Sequence, residues 1–290
     1  MKRFLFVFLI TLLAAGSSGK QKKDVGEIPV QVMTYNIRMD NPGDGTNQWK
    51  NRRDYAAALV RFYSPDLFGA QEVLHNQLTD LQERLPGYAF IGVGREDGKT
   101  KGEYTPVFYK KDRFKLIDSG NFWLAEDKTA VGKKGWDAAC ERVATWGIFE
   151  DLRTGKRFFF LNTHLDHIGK TARHRGAGLI LEETDRLRGD YPTLVTGDFN
   201  AVPDDDPIRV LTDPADRRRL ADSRSEAAVR YGPEGSFHDF GRIPFGERPL
   251  IDYIFFKGKM QVVRHGILSE SMGELYPSDH HPVLAAFVLE

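Results

Sequence analysis

The sequence predicts an α/β (α+β) fold in which two packed β-sheets are flanked by helices, and three observations carry that reading. The chain has 290 residues, 41% hydrophobic and 12% aromatic, so it can bury a full core without a disulfide or a structural metal. Many short apolar runs, each bounded by turn or polar residues, stand against a handful of longer amphipathic stretches, which excludes the regular alternation of a βαβ barrel. No Pro/Ser/Gly-rich stretch is long enough to be an interdomain linker, and neither a repeat nor a low-complexity block interrupts the pattern.

In chain order, residues 1–19 read as a signal peptide: Lys2-Arg3, the apolar run Phe4 to Ala15, then the small residues around Gly16. That run falls short of the roughly 20 apolar residues a spanning helix needs. Residues 20–28 form a polar leader and 29–290 a single domain. Strands are expected at Val30–Tyr35, Asp66–Ala70, Ala89–Val93, Thr105–Tyr109, Ala144–Glu150, Arg157–Leu161, Thr193–Thr196, Ile251–Phe256, Val262–Ile267 and Val283–Leu289. Helices are expected at Trp49–Tyr63, stopped by Pro65, at Asn76–Leu85, stopped by Pro86, at Thr171–Arg188 and at Pro207–Leu211.

Charge narrows the partners. Forty-one Lys plus Arg balance forty-one Asp plus Glu. Cleavage near Gly16 removes Lys2 and Arg3 but no acid, leaving a slightly acidic mature chain. That balance argues against a charge-driven polyanion binder, for which a basic excess is the usual footprint. The single cysteine, Cys140, cannot form an intrachain bridge and reads as a small buried residue, and no cysteine follows the signal where a lipid anchor would need one. A periplasmic or secreted monomer with no membrane segment after cleavage is expected.

The residues that end the strands are the informative ones. VQVMTY is followed by Asn36, LFGA by Gln71-Glu72, RFFFL by Asn162-Thr163-His164, and TLVT by Gly197-Asp198-Phe199-Asn200. Singly, each reads as a turn or a solvated surface group; together, at the ends of apolar strands, they point to one site. Period-two alternation puts Asp198 and Asn200 on one side of an extended segment and Phe199 in the core. Asp252 lies inside the apolar run Ile251–Phe256, where an unpaired carboxylate costs several kcal/mol, so it needs a partner. Ser278-Asp279-His280-His281-Pro282 offers one in His280, and an Asp–His pair suits a general base or a phosphate-facing imidazolium.

The ordered set YNIR (35–38), QEV (71–73), NTHLDH (162–167), GDFN (197–200), IDYIF (251–255) and SDHHP (278–282) resembles the endonuclease/exonuclease/phosphatase superfamily, the DNase I-like phosphohydrolases, over residues 30 to 289. With Trp49–Arg53 and NTHLDH it is more similar to the branch of deadenylase-like and sphingomyelinase-like phosphodiesterases than to abasic-site repair enzymes. The resemblance implies a four-layer α/β/β/α sandwich with two mixed sheets. It implies metal binding by Glu72 and Asp279 with Asn36 beside them, placement of the attacking water and a phosphate oxygen by Asp198 and Asn200, a phosphate-facing His164, and an Asp252–His280 dyad. Whether Asp198 or His280 takes the water proton stays open. Carboxylate and amide oxygens suit magnesium or manganese rather than zinc. Arg142, Arg173 and Arg175 are weaker candidates for phosphate recognition.

The implied activity is a secreted metal-dependent phosphoester hydrolase, foremost a phosphodiesterase, acting on a small molecule, a lipid headgroup or a nucleic acid. A nuclease would want several phosphate contacts, yet Arg217-Arg218-Arg219 is the one basic cluster. A sphingomyelinase-like role would want an exposed apolar wedge, and Phe122-Trp123 reads rather as core. A phosphorylated sugar, nucleotide or headgroup fragment fits the charge best. Outside this class stand a binding module that has lost the chemistry, a glycosidase using Glu72 and Asp252, and a zinc hydrolase. The zinc reading is weakened because Asn162 occupies the first histidine position of an HxHxDH motif.

Overall fold

The computed structural model describes residues 29–290, so the expected signal peptide and the whole of the leader lie outside the described residues. β1 (Val30–Asn36), α1 (Trp49–Tyr63), β2 (Leu67–Gln71), α2 (His75–Arg84), β3 (Tyr88–Ile91) and β4 (Val107–Lys110) open the chain. β5 (Phe114–Trp123), β6 (Val143–Asp151), β7 (Arg157–His164), α3 (Lys170–Leu187), β8 (Thr193–Asp198) and α4 (Asp206–Thr212) follow. β9 (Ala221–Asp222), α5 (Ser223–Glu226), β10 (Val229–Tyr231), β11 (Asp252–Lys257), β12 (Met260–Ile267) and β13 (Val283–Leu289) complete it. No described helix is long and apolar enough to cross a membrane.

The strands form a seven-stranded sheet in the order β10-β12-β13-β1-β2-β4-β3 and a six-stranded sheet in the order β5-β6-β7-β8-β11-β9. Each sheet has a central parallel pair, β1 with β2 and β7 with β8, whose neighbours are antiparallel, and β10 adds a parallel pairing with β12 at the edge of the larger sheet, so both are mixed. A helix bridges each central parallel pair, α1 in the first and α3 in the second, as the crossover between parallel strands usually does.

Alternation along the strands sorts side chains into layers. On β1, Met33 and Tyr35 pack with Trp49, Ala56, Val60, Leu78 and Leu81, which puts α1 and α2 on the outer face of the seven-stranded sheet. Val30 and Val32 join the core between the sheets, which is filled by Leu67, Phe158, Phe160, Leu194, Ile254 and Phe287 and extends outward to Ala177 and Ile180 of α3. The order is helices, sheet, sheet, helices, which is the four-layer α/β/β/α sandwich.

All ten expected strands and four expected helices form, with α1 and β13 at the expected limits. β5 is an addition: FKLIDSGNFW is polar through its middle because it is an edge strand with a bulge between Leu116 and Asp118 and one face in water. Its last residues, Phe122 and Trp123, are buried. β7 and β8 run past the apolar stretches that announced them, to His164 and Asp198, so the polar residues expected just beyond the strands are still paired in the ladder.

Candidate active site

The ends of β1, β7, β8 and β11 meet at one edge of the sandwich, and ladder register fixes their alignment. His164 pairs with Asp198 across β7 and β8, and Asp252 pairs with Asp198 across β8 and β11. From the opposite sheet, Asn36 reaches across and donates through Nδ2 to Glu72 Oε1 at 3.0 Å and to Asp198 Oδ2 at 3.0 Å. Beneath this layer a buried polar stitch holds the sheets in register. Gln71 Nε2 donates to Asn162 Oδ1 at 2.7 Å and to Thr34 Oγ1 at 3.0 Å, Thr196 Oγ1 donates to Asn162 Oδ1 at 3.0 Å, and Asn162 Nδ2 donates to Ala70 O at 2.7 Å. Gly69 makes room for it, since a Cβ there would lie 2.3 Å from both Asn162 Oδ1 and Thr196 Oγ1.

The strand ends open into a cavity of about 620 Å³ bordered by Arg38, Glu72, Glu103, Arg142, His164, Asp198, Asn200, Asp279 and His280, with Phe237 and Asp239 at its side. Four of the seven non-glycine residues with left-handed backbone among the described residues, Arg38, Glu72, Asn200 and Asp239, border it. Such conformations cost about 1–3 kcal/mol each and persist where the surroundings hold them, commonly at functional sites.

Asp252 is buried, accepts from Ser236 Oγ at 2.6 Å, and its Oδ2 lies 2.9 Å from His280 Nδ1. Burial alone would lower the His280 pKa, but Asp252, by charge and hydrogen bond, with Asp279 and Asp198 adding to it, pushes it up to about 10, so His280 is an imidazolium at neutral pH. Burial pushes Asp198 up to about 7, aided by Asp252 and opposed by His280, whose Nε2 is 3.8 Å away. Burial likewise raises Asp279 to about 6, with His280 opposing and Glu72 adding repulsion. Glu72 is held below its usual range: burial works against ionisation, but the His280 charge, the Met39 amide and Asn36 outweigh it. His164 is pushed well below its usual value by burial and by the Arg142 and Arg95 charges, so it is neutral, with Nε2 3.0 Å from Asn200 Nδ2 and 3.5 Å from Asp198 Oδ2.

Buried carboxylates whose pKa values are forced upward signal positive charge still to be supplied, which a hard divalent cation would provide. The donor set fits one: Glu72, Asp198 and Asp279 border the cavity, and ligand atoms of Glu72, His164 and Asp198 lie within 4.8 Å of one another. Asn36 serves differently from a simple ligand, because its Nδ2 ties Glu72 to Asp198 while its Oδ1 accepts from Arg38 N at 3.0 Å.

Of the arginines singled out, Arg142 borders the cavity; Arg173 does not, donating instead to Asp166 O at 2.9 Å, and Arg175 is exposed on α3. Cys140, expected to be buried, is half-buried at the cavity wall. Asp166 anchors a loop: its carboxylate accepts from the amides of Ala139, Cys140, Ile168 and Gly169 and lies 3.4 Å from Arg142 Nε. Sequence reasoning missed Arg38, which pairs bidentately with Asp44 at 3.0 and 2.9 Å and lies 3.7 Å from Asp279. It also missed Ser236 and the Arg95–Glu103 pair; the arginine of YNIR was the one available signal.

The profile of the Endonuclease/Exonuclease/phosphatase family matches residues 33–280. An endonuclease/exonuclease/phosphatase of Bacteroides vulgatus is 44% identical with a TM-score of 0.88, covering 91% of this chain and 100% of that one. A mannosyl-6-phosphatase of Bacteroides thetaiotaomicron is 39% identical with a TM-score of 0.84, covering 90% of this chain and 100% of that one. The Candida albicans 3'-5'-exoribonuclease subunit Ccr4 of the CCR4-Not complex is 24% identical over 84% of this chain, which spans 38% of that relative's length.

Proposed function

The chain belongs to the endonuclease/exonuclease/phosphatase family of phosphoester hydrolases, and from that premise we propose that it is an exported, magnesium- or manganese-dependent hydrolase of small phosphoesters. The observation that carries the reading is the convergence of Glu72, Asp198, Asn200, His164, Asp279 and the Asp252–His280 pair on one cavity of about 620 Å³. A monoester is favoured over the diester expected from sequence, because the likeness to a mannosyl-6-phosphatase covers nearly the whole of the described chain. A polynucleotide is disfavoured by the basic cluster, which lies elsewhere. Lys257, at the end of β11 away from Asp252 and roughly 17 Å along the strand, donates to Arg217 O, and Arg217 and Arg218 are paired with Asp185 and Asp216.

Glu72 and Asp279, with Asp198 beside them, would hold the metal. When bound, the ion supplies charge that neutralises a phosphoryl oxygen and helps orient the water. Asp198, pushed up to about 7, is poised to take the water proton near neutral pH, whereas His280, already protonated and oriented by Asp252, faces the phosphoryl group as a cationic donor. Asn200 and neutral His164 border the place of the non-bridging oxygens. Asn200 Nδ2 donates to Leu165 O at 3.0 Å and lies 3.0 Å from His164 Nε2, so turning one of its N–H groups from His164 to a phosphoryl oxygen would supply a donor contributing about 3 kcal/mol in the transition state. Asn36 acts as a positioning residue that sets Glu72 against Asp198. Water attacks phosphorus, the bond to the alcohol oxygen breaks, and the products are phosphate and the alcohol.

Export rests on the composition of residues 1–19. The mature protein is expected to begin after Gly16 or within a few residues of it, and N-terminal sequencing that finds Met1 removes that part of the reading. The activity is tested with magnesium present by the product each substrate would release: p-nitrophenol from p-nitrophenyl phosphate and bis-p-nitrophenyl phosphate, soluble nucleotides from RNA, and phosphocholine from sphingomyelin. Faster turnover of the monoester supports the proposal, and turnover confined to RNA or sphingomyelin overturns it.

A further inference from the structure

Across the cavity floor runs a row of ionisable groups. Asp252 is 2.9 Å from His280, His280 3.8 Å from Asp198, Asp198 3.5 Å from His164, His164 Nδ1 4.0 Å from Glu103, and Glu103 2.7 Å from Arg95. The reacting phosphoryl group belongs at the Asp198 end, beside Glu72 and Asp279. Glu103 stands one imidazole further on, where the alcohol half of an ester would sit.

We propose that Glu103, held by Arg95, and Arg142, held by Asp166 and His167, form a subsite for hydroxyl groups, and that the substrate is the phosphomonoester of a polyhydroxylated alcohol such as a sugar. The inference rests on the phosphohydrolase reading and deepens it. Arg142 is 4% exposed, yet only two of its three nitrogens are engaged, Nε at 3.4 Å from Asp166 Oδ2 and Nη2 at 3.0 Å from His167 Nδ1. Arg142 Nη1 and His164 Nδ1 are buried without a hydrogen-bond partner, and both residues border the cavity. Two unpartnered polar nitrogens therefore stand with a carboxylate on one wall. A second phosphate is a poor match, because Glu103 offsets Arg95 and Asp166 offsets Arg142, leaving no net positive charge to draw it. Hydroxyl groups match, since each can donate to Glu103 and accept from the guanidinium.

The wall is built rather than incidental. The segment carrying both Arg95 and Glu103 doubles back on itself, with Arg95 N donating to Glu103 O at 3.1 Å and Tyr104 N to Val73 O at 2.8 Å. Asp166 gathers the amides of Ala139 and Cys140, just before Arg142, and those of Ile168 and Gly169 in its own turn, which ties the two segments together. A site constructed to bond hydroxyls rejects an analogue lacking them, because its own buried polar groups are left unpaired.

The test compares kcat/KM of the mature chain with magnesium for mannose 6-phosphate, inositol 1-phosphate and a ribonucleoside 5′-monophosphate against cyclohexylmethyl phosphate, an ester of similar bulk without hydroxyls. The wild type is expected to prefer at least one hydroxylated ester by about 100-fold, and Glu103→Gln and Arg142→Met each to reduce that preference tenfold or more. Which ester is preferred identifies the source of the alcohol. A wild-type preference below tenfold, or variants that keep it within tenfold, overturns the subsite; the wild-type arm does not depend on the variants folding. Failure to hydrolyse any of these esters overturns the phosphohydrolase reading as well.

Discussion

Gly69→Ala probes the link between the fold and the site. Gly69 sits on β2 facing the second sheet, and a Cβ there would lie 2.3 Å from Asn162 Oδ1 and 2.3 Å from Thr196 Oγ1, where ordinary contact begins near 3.4 Å. Relief requires about 1 Å of movement, and both neighbours are fully buried and mutually bonded. Overpacking of this kind costs about 1–3 kcal/mol, and each buried polar group left unsatisfied a further 1–3 kcal/mol, giving about 3–5 kcal/mol in total. For a domain of this size that is a fall of about 6–15 °C in Tm. Because Asn162 precedes His164 on β7 by two residues and sets its height in the ladder, turnover should fall with stability, even at temperatures where the variant is folded. Calorimetric unfolding and kcat at 15 °C read the two effects. A Tm within about 2 °C of the parent refutes the view that this stitch sets the spacing of the sheets.

Three further outcomes follow from other parts of the molecule. Arg113, 2% exposed, bridges Asp66 at 2.5 Å and Asp151 at 3.0 Å, so Arg113→Met, which leaves two carboxylates buried without it, should cost about 3–5 kcal/mol in denaturant unfolding. Burial lowers the His265 pKa to about 4, whereas the unfolded chain titrates near 6.5. Its contribution is therefore complete above pH 6.5 and lost as pH falls toward 4, and His265→Gln should lose about 2 kcal/mol less than the parent between pH 7 and pH 5 by urea midpoint. Asp166→Ala frees the amides of Ala139, Cys140, Ile168 and Gly169 and the Arg142 guanidinium together, so KM should rise about tenfold or more, with a smaller change in kcat.

Much of this was legible in the sequence because burial writes a pattern. Val30–Tyr35 reads as a strand from its apolar run, and the parity of the strand, which the structure extends to Asn36, separates Met33 and Tyr35, which face the helices, from Val32 and Asn36, which face the other sheet. Asp252 inside an apolar strand demanded a partner, and His280 lies 2.9 Å from it. What stayed hidden depends on contacts between distant segments. Ser236 reaches Asp252 from a loop with no periodicity, and Glu103 gains its place only when its segment folds back onto Arg95. β5 was invisible for a different reason: an edge strand with one face in water has no apolar signature to show.

The central claim is that the carboxylates around Asp198 work with a divalent cation to hydrolyse a phosphoester. Its most direct test is turnover of p-nitrophenyl phosphate by the mature chain, stripped with EDTA and then supplied with magnesium, beside Asp198→Asn under the same conditions. Activity should vanish on chelation, return with the metal, and be lower by about 10²–10⁴-fold in the variant. Undiminished turnover in excess EDTA, or a variant within tenfold of the parent, would contradict it.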